Sequence, residues 1–110
     1  MANFFKNSLQ NEIGTAGTVA YTCPANRTST VIGVSVANIV AADVAITVKA
    51  HDVSTGTISH VIKNFTVAEG STLVLFGGDQ KLVLETGDFI SITGSANTAL
   101  DSIVSVLEQG

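Results

Sequence analysis

From Thr15 onward, apolar and polar residues alternate in short runs separated by clusters of Gly, Asp, Asn and Ser. Period-two alternation turns successive side chains to opposite faces, so each run predicts a strand with one face on a core. "GTVAYTC" predicts a short strand, and "PANRTS" a loop in which Pro24 removes a donor and Asn26 takes turn geometry. In "TVIGVSVANIV" the alternation groups Ile32, Val34 and Val36 on one face and Val31, Gly33, Ser35 and Ala37 on the other, as in a central strand. "AADVAITVKAHDV" turns Val44, Ile46, Val48 and Ala50 inward against Ala45, Thr47, Lys49 and His51 outward.

"STG" at 54–56 predicts a tight hairpin with Gly56 at positive φ. The return run "TISHVIKNFTV" splits less cleanly, with Ile58, His60 and Ile62 against Val61 and Lys63. A bulge near Lys63 and Asn64 would bring Phe65 and Val67 back into phase. "TLVLF", "KLVLE", "FISIT" and "SIVSVLE" follow, divided by "GGDQ", "TGD" and "GSANTALD". The last run sets Ile103, Ser105 and Leu107 against Val104 and Val106, so it is apolar on both faces and is covered on both sides or lies at an interface. Short strands recurring at this interval predict an all-β fold, an antiparallel β-sandwich of seven or eight short strands around a core about 10 Å thick.

Residues 1–14, "MANFFKNSLQNEIG", break the alternation and predict an N-terminal arm ahead of a sandwich domain spanning 15–110. Phe4, Phe5, Leu9 and Ile13 recur at helical spacing, which fits a short amphipathic helix; an extended arm with Phe anchors fits equally. A helix this short is marginal alone, and paired Phe side chains are costly to expose. Either form needs a surface, its own sandwich or a neighbouring subunit. Phe4, Phe5, Leu9 and Ile13 are therefore the candidate interface residues, expected to reach another subunit.

Composition narrows the function. The chain has 110 residues, suited to one domain, and is 45% apolar but only 5% aromatic, with no Trp. Five Lys and Arg against nine Asp and Glu give a formal charge of −4, which argues against nucleic-acid backbone binding. Charged residues are only 13% of the chain, leaving a neutral Ser, Thr and Asn-rich surface suited to a protein in lasting contact with copies or partners. The single Cys23 excludes an internal disulfide and reads as a small buried residue. No run of about 18 apolar residues occurs, so no membrane span is expected. "MANFFKNSLQ" lacks the basic and hydrophobic regions of a signal peptide, so the Asn26 and Asn64 sequons carry little weight as glycosylation sites.

Candidate chemistry is sparse. "FGGDQKLVLE" lacks phosphate-loop spacing and leads into a strand pattern, so no helix end would meet an anion. Gly77, Gly78 and Asp79, then Gly87 and Asp88, read instead as turn devices that hold strand register. His51 and His60 across the hairpin, with Asp52, would form at most a weak metal site, and two exposed polar positions is the plainer account. Asp43, Asp52, Asp79, Asp88 and Asp101 stand beside turns without calcium-loop spacing. No nucleophile elbow or Cys–His pairing appears, so neither catalysis nor a cofactor is expected. Phe65, Phe76 and Phe89 fall inside strand patterns and read as core rather than as a sugar platform.

Across residues 18–108, "TVAEGSTLVLFGGDQKLVLETGD" and the closing "DSIVSVLE" above all, the chain resembles small virion structural proteins of tailed bacteriophages, especially phages of marine and photosynthetic bacteria. The resemblance implies a virion location and a non-enzymatic role in assembly: a capsid decoration protein first, or a neck, tail or baseplate component. It implies self-association, as a trimer or ring, and contact with other virion proteins. It transfers no ligand or catalytic residue. A host-adhesion or carbohydrate-binding module is the alternative from another class.

Overall fold

The computed structural model describes residues 3–76 and 81–110. Its nine strands there are β1 (Asn3–Ile13), β2 (Thr18–Thr22), β3 (Thr28–Asn38), β4 (Val44–Asp52), β5 (Thr57–Val67), β6 (Thr72–Leu75), β7 (Leu82–Leu84), β8 (Phe89–Gly94) and β9 (Leu100–Gln109). The first sheet runs β1-β9-β3-β6, with β7 beside β6 along the same flank of β3; the second runs β2-β8-β4-β5. All pairings are antiparallel. The expected sandwich is the fold, with eight strands from Thr18 onward and β1 as a ninth.

The chain changes sheet at every connection except β4–β5 and β6–β7. Each layer is thus assembled from segments distant in sequence, and the core closes only when both layers meet. Val31, Val34, Val36, Leu84, Val104 and Val106 of the first sheet are buried against Val44, Ile46, Val48, Ile90 and Ile92 of the second. Full burial of such a side chain stabilises by roughly 1.5–3 kcal/mol, so a thin aliphatic core suffices without a disulfide. Asn38, also buried, closes the β3–β4 loop: its amide donates to the carbonyls of Ala42 at 2.8 Å and Val67 at 3.0 Å.

One phase relation differs from the sequence reading and another follows it. In β3 the register shifts between Val31 and Gly33, so Val31, Val34 and Val36 face the core and Ile32 is exposed. The bulge adds one residue and reverses the alternation before Gly33. In β5 the register shift that skips Lys63 and Asn64 agrees with the expected bulge, and Asn64 has φ 51. Gly56 and Gly87 have φ 72 and 87, as their turns require.

The N-terminal segment is strand, not helix. Asn3 to Gln10 pair in register with Gln109 to Ser102, making β1 the edge of the first sheet. Phe5, Leu9 and Ile13 stand four apart, a spacing that fits a helical turn and the even period of a strand alike. The backbone groups of β9 decide between them by offering a full ladder. A bulge between Gln10 and Ile13, with Glu12 at φ 54, then turns Ile13 into the core.

Candidate functional site

Among the four N-terminal candidates, β1 separates two pairs. Phe5 and Leu9 lie opposite Leu107 and Ile103 of β9 and project outward, 76% and 68% exposed. Phe4 lies opposite buried Glu108 but is itself 38% exposed at the sheet edge, while Ile13 is buried in the core. Phe5 and Leu9 are thus free for contact, and Ile13 is committed to the chain's own fold.

Strand register extends the exposed pair across the whole sheet, because residues directly opposite share a face. One row runs Leu9, Ile103, Ser35, Val74 across β1, β9, β3 and β6. A second runs Phe5, Leu107, Thr30, Val83 across β1, β9, β3 and β7. Between them lies a low row of Asn7, Ser105 and Gly33, in which the Ser105 hydroxyl donates to Asn7 Oδ1 at 2.8 Å. A Cβ added at Gly33 would meet nothing within 4 Å. The three rows contain no charged residue; Asp101, opposite Ala37, marks the margin. Val74, Val83 and Ile103 are all large apolar residues left in water. Contact surfaces are depleted of charge at their centre in this way.

A buried polar cluster sits under one end of the same sheet. Glu108, 1% exposed, accepts from Tyr21 Oη at 2.5 Å and from Arg27 Nη1 at 2.6 Å, with Lys6 Nζ 3.2 Å away. The Ser29 hydroxyl lies 2.7 Å from Tyr21 Oη and 3.2 Å from Cys23 Sγ, and Cys23 in turn reaches the Arg27 carbonyl at 3.2 Å. The Arg27 guanidinium stands 4.4 Å from the centre of the Phe4 ring. Burial alone raises the Glu108 carboxyl, but hydrogen bonds from Tyr21, Arg27 and Lys6 outweigh it and hold it below its usual value. Burial, and then donation to Glu108, push the Tyr21 phenol far above its usual value. With Tyr21 donating and Glu108 charged, the cluster is an anchor that joins β1, β2, β3 and β9.

The remaining candidates are structural. Asp88 accepts from the Val53 and Glu85 amides, both at 3.1 Å, tying the β4–β5 hairpin to the turn before β8. Asp52 caps its own turn through the Ser54 amide and hydroxyl, which holds its carboxyl below the usual value. His60 pairs with Lys49 and His51 with Ile58, so the two histidines are not cross-strand partners; the four-residue turn centres the hairpin one position earlier than the sequence reading. His51 stacks on Phe89 at 4.1 Å and bonds Ser91 at 2.8 Å, and burial followed by Lys49 lowers its basicity. Among the described residues no three His, Cys, Asp or Glu side chains group to hold a metal. Phe76 is buried as expected, but Phe65 is exposed and Phe89 lies on the outer face, so these two do not fill the core. Gly77, Gly78 and Asp79 lie outside the described residues.

No protein-family model and no curated protein matches the chain at the level of sequence. Two solved structures share the architecture. One is a chain of the Bacillus endospore appendages, described as a family of disulfide-linked pili, with TM-score 0.55, 14% identity, and coverage of 97% of this chain and 85% of that one. The other is from the T13 IBDV viral particle, with TM-score 0.55 and 13% identity; the match takes in 96% of this chain and 30% of the viral one. At these identities the likeness is one of fold.

Proposed function

We propose that the chain is a non-catalytic virion structural protein, most specifically a capsid decoration protein, that works through subunit contacts at the outer face of its first sheet. The observation that carries this is the pair of apolar rows, Leu9 to Val74 and Phe5 to Val83, divided by an uncharged low row. An apolar sheet face of this extent is costly in water and is stabilised once covered. The resemblance of residues 18–108 to tailed-phage virion proteins supports the setting. A pilus and a viral particle, two assembled objects, supply the structural neighbours.

The contacts join copies to one another, in a trimer or ring, and to other virion proteins. A ring needs two different patches on each copy, and the open edge of β1 offers main-chain groups as one that is separate from the apolar face, so that ring and face contacts are compatible. Deleting residues 1–14 would remove a strand as well as a contact, so substitutions at Phe5 and Leu9 are the cleaner probe.

Purified particles from cells making the chain test the role. Band densitometry is expected to give hundreds of copies per particle. A handful of copies would move the chain to the neck, tail or baseplate, and its absence from particles would reject the virion role. Binding on a glycan array, with no particle association, would favour host adhesion instead.

A further inference from the structure

We propose that the outer face of the first sheet packs on the same face of a second copy, giving a two-fold pair of sandwiches. The inference rests on the reading of that face as a contact surface and names its partner.

Shape argues for a copy. On β1 and β9 the two apolar rows stand two residues to either side of the low row, about 7 Å each way. On β3 the bulge sets exposed Ile32 between Gly33 and the Phe5 row, so the face is a ridge, a valley and a ridge with the valley lowest at Gly33 and Ser105. Side chains of one sheet fill hollows of another when sheets stack. A two-fold operation displaced by one row drops a ridge of each copy into the valley of the other, where Gly33 and Ser105 leave room.

Charge argues the same way. With no ionised group in the three rows, two copies meet without placing like charges together. A partner chosen by charge would find nothing here to recognise. The second sheet could not pair with itself so cheaply: its corresponding row is Val19, Ser91, Lys49, His60, and a copy would bring cation toward cation.

Area is sufficient. Three strands of about ten residues with the shorter β6 and β7 beside them, spaced ~4.8 Å apart at ~3.3 Å per residue, give a flat footprint of ~600 Å², before the relief of the side chains is counted. A standard interface buries about 800 Å² per partner.

Sedimentation velocity over a micromolar concentration series tests the pairing. The wild type is expected to sediment as a reversible dimer. Leu9→Lys with Val74→Lys, at opposite ends of one row, is expected to weaken the dimer by about 100-fold, because both charges would be desolvated in the contact. Both positions are exposed, so the thermal midpoint should stay within about 3 °C of wild type. Val19→Lys on the other sheet is expected to leave the dimer intact.

Charge exchange gives the sharper readout. Leu9→Glu with Val74→Glu should be monomeric alone and should form a mixed dimer with the lysine variant, since interlocking of the two Leu9–Val74 rows sets lysine beside glutamate. A monomeric wild type, a dimer indifferent to the lysine pair, a trimer lost on the same substitutions, or no mixed dimer would each overturn the proposal. A dimer absent from purified particles would uphold the pairing and remove the virion role; a monomer found in particles would do the reverse.

Discussion

The two outer faces of the sandwich are built from similar strands and differ in chemistry. On the first sheet the cross-strand rows read Leu9, Ile103, Ser35, Val74 and Phe5, Leu107, Thr30, Val83. On the second they read Val19, Ser91, Lys49, His60 and Thr22, Phe89, His51, Ile58. The second face places Lys49, His60 and a stacked His51–Phe89 pair in its rows and tolerates water. The first carries only apolar and small neutral groups. Equal backbone scaffolding thus yields one face suited to solvent and one that, on the proposal above, is completed by a partner.

The edges show the same asymmetry. The outer strand of the second sheet, β5, has two register shifts and Lys63 and Asn64 in one of them, devices that spoil an edge as a template. β1 runs in unbroken register from Asn3 to Gln10. What holds it down is the Glu108 anchor from below rather than burial from above.

The comparison breaks most readily at that anchor. Glu108→Ala takes the charged acceptor from the buried Tyr21 hydroxyl, leaving it Ser29 alone, and opens a cavity, while Arg27 and Lys6 retain access to water. The expected loss is about 2–4 kcal/mol in urea unfolding. Self-association should fall with it, because a loosened β1 no longer presents Phe5 and Leu9. A loss below about 0.5 kcal/mol would show that β1 is held by its ladder alone.

Acid probes the same group without mutation. The folded carboxyl of Glu108 is held below its unfolded value, so its contribution is complete above the unfolded value of about 4.3 and is lost as pH falls through the lower folded value. Urea midpoints should therefore decline below about pH 4.5, and Glu108→Gln should flatten that part of the profile. Tyr21 acts in the opposite sense: its raised phenol contributes fully below about pH 10 and is lost as pH climbs through the folded value.

Neighbouring positions on β9 sharpen the contrast between inside and outside. Ser102 is buried and its hydroxyl has no partner among the described residues, so Ser102→Ala is expected to stabilise by about 1 kcal/mol and leave association unchanged. Ile103→Ser, one residue along and facing out, should barely move the thermal midpoint while weakening association by about tenfold. The smallest effect belongs to the valley. Gly33→Val places a Cβ that meets nothing within 4 Å and should stabilise the strand by about 0.5 kcal/mol, yet it should impede the face contact in the same sedimentation assay.

Much of the fold was legible. In β4 the inward set of Val44, Ile46 and Val48 follows from strict alternation, and the turns at Gly56 and Gly87 from their residue types. The phase of β3 was not legible, because a one-residue bulge beside Gly33 inverts every assignment before it. The double apolar character of β9 did signal its outward surface, through Ile103 and Leu107. The Glu108 cluster was hidden: Lys6, Tyr21, Arg27 and Glu108 span almost the whole chain, and nothing local marks an acid in "SVLEQG" as buried.

The sequence by itself determined the strands, their turns and the chemistry of each side chain, since alternation and glycine placement act over a few residues. Only the tertiary structure decided that the N-terminal segment is an edge strand, that Lys6, Tyr21 and Arg27 close around Glu108, and that apolar positions from β1, β9, β6 and β7 align in rows. Those outcomes depend on register between segments far apart in the chain, which local periodicity does not encode.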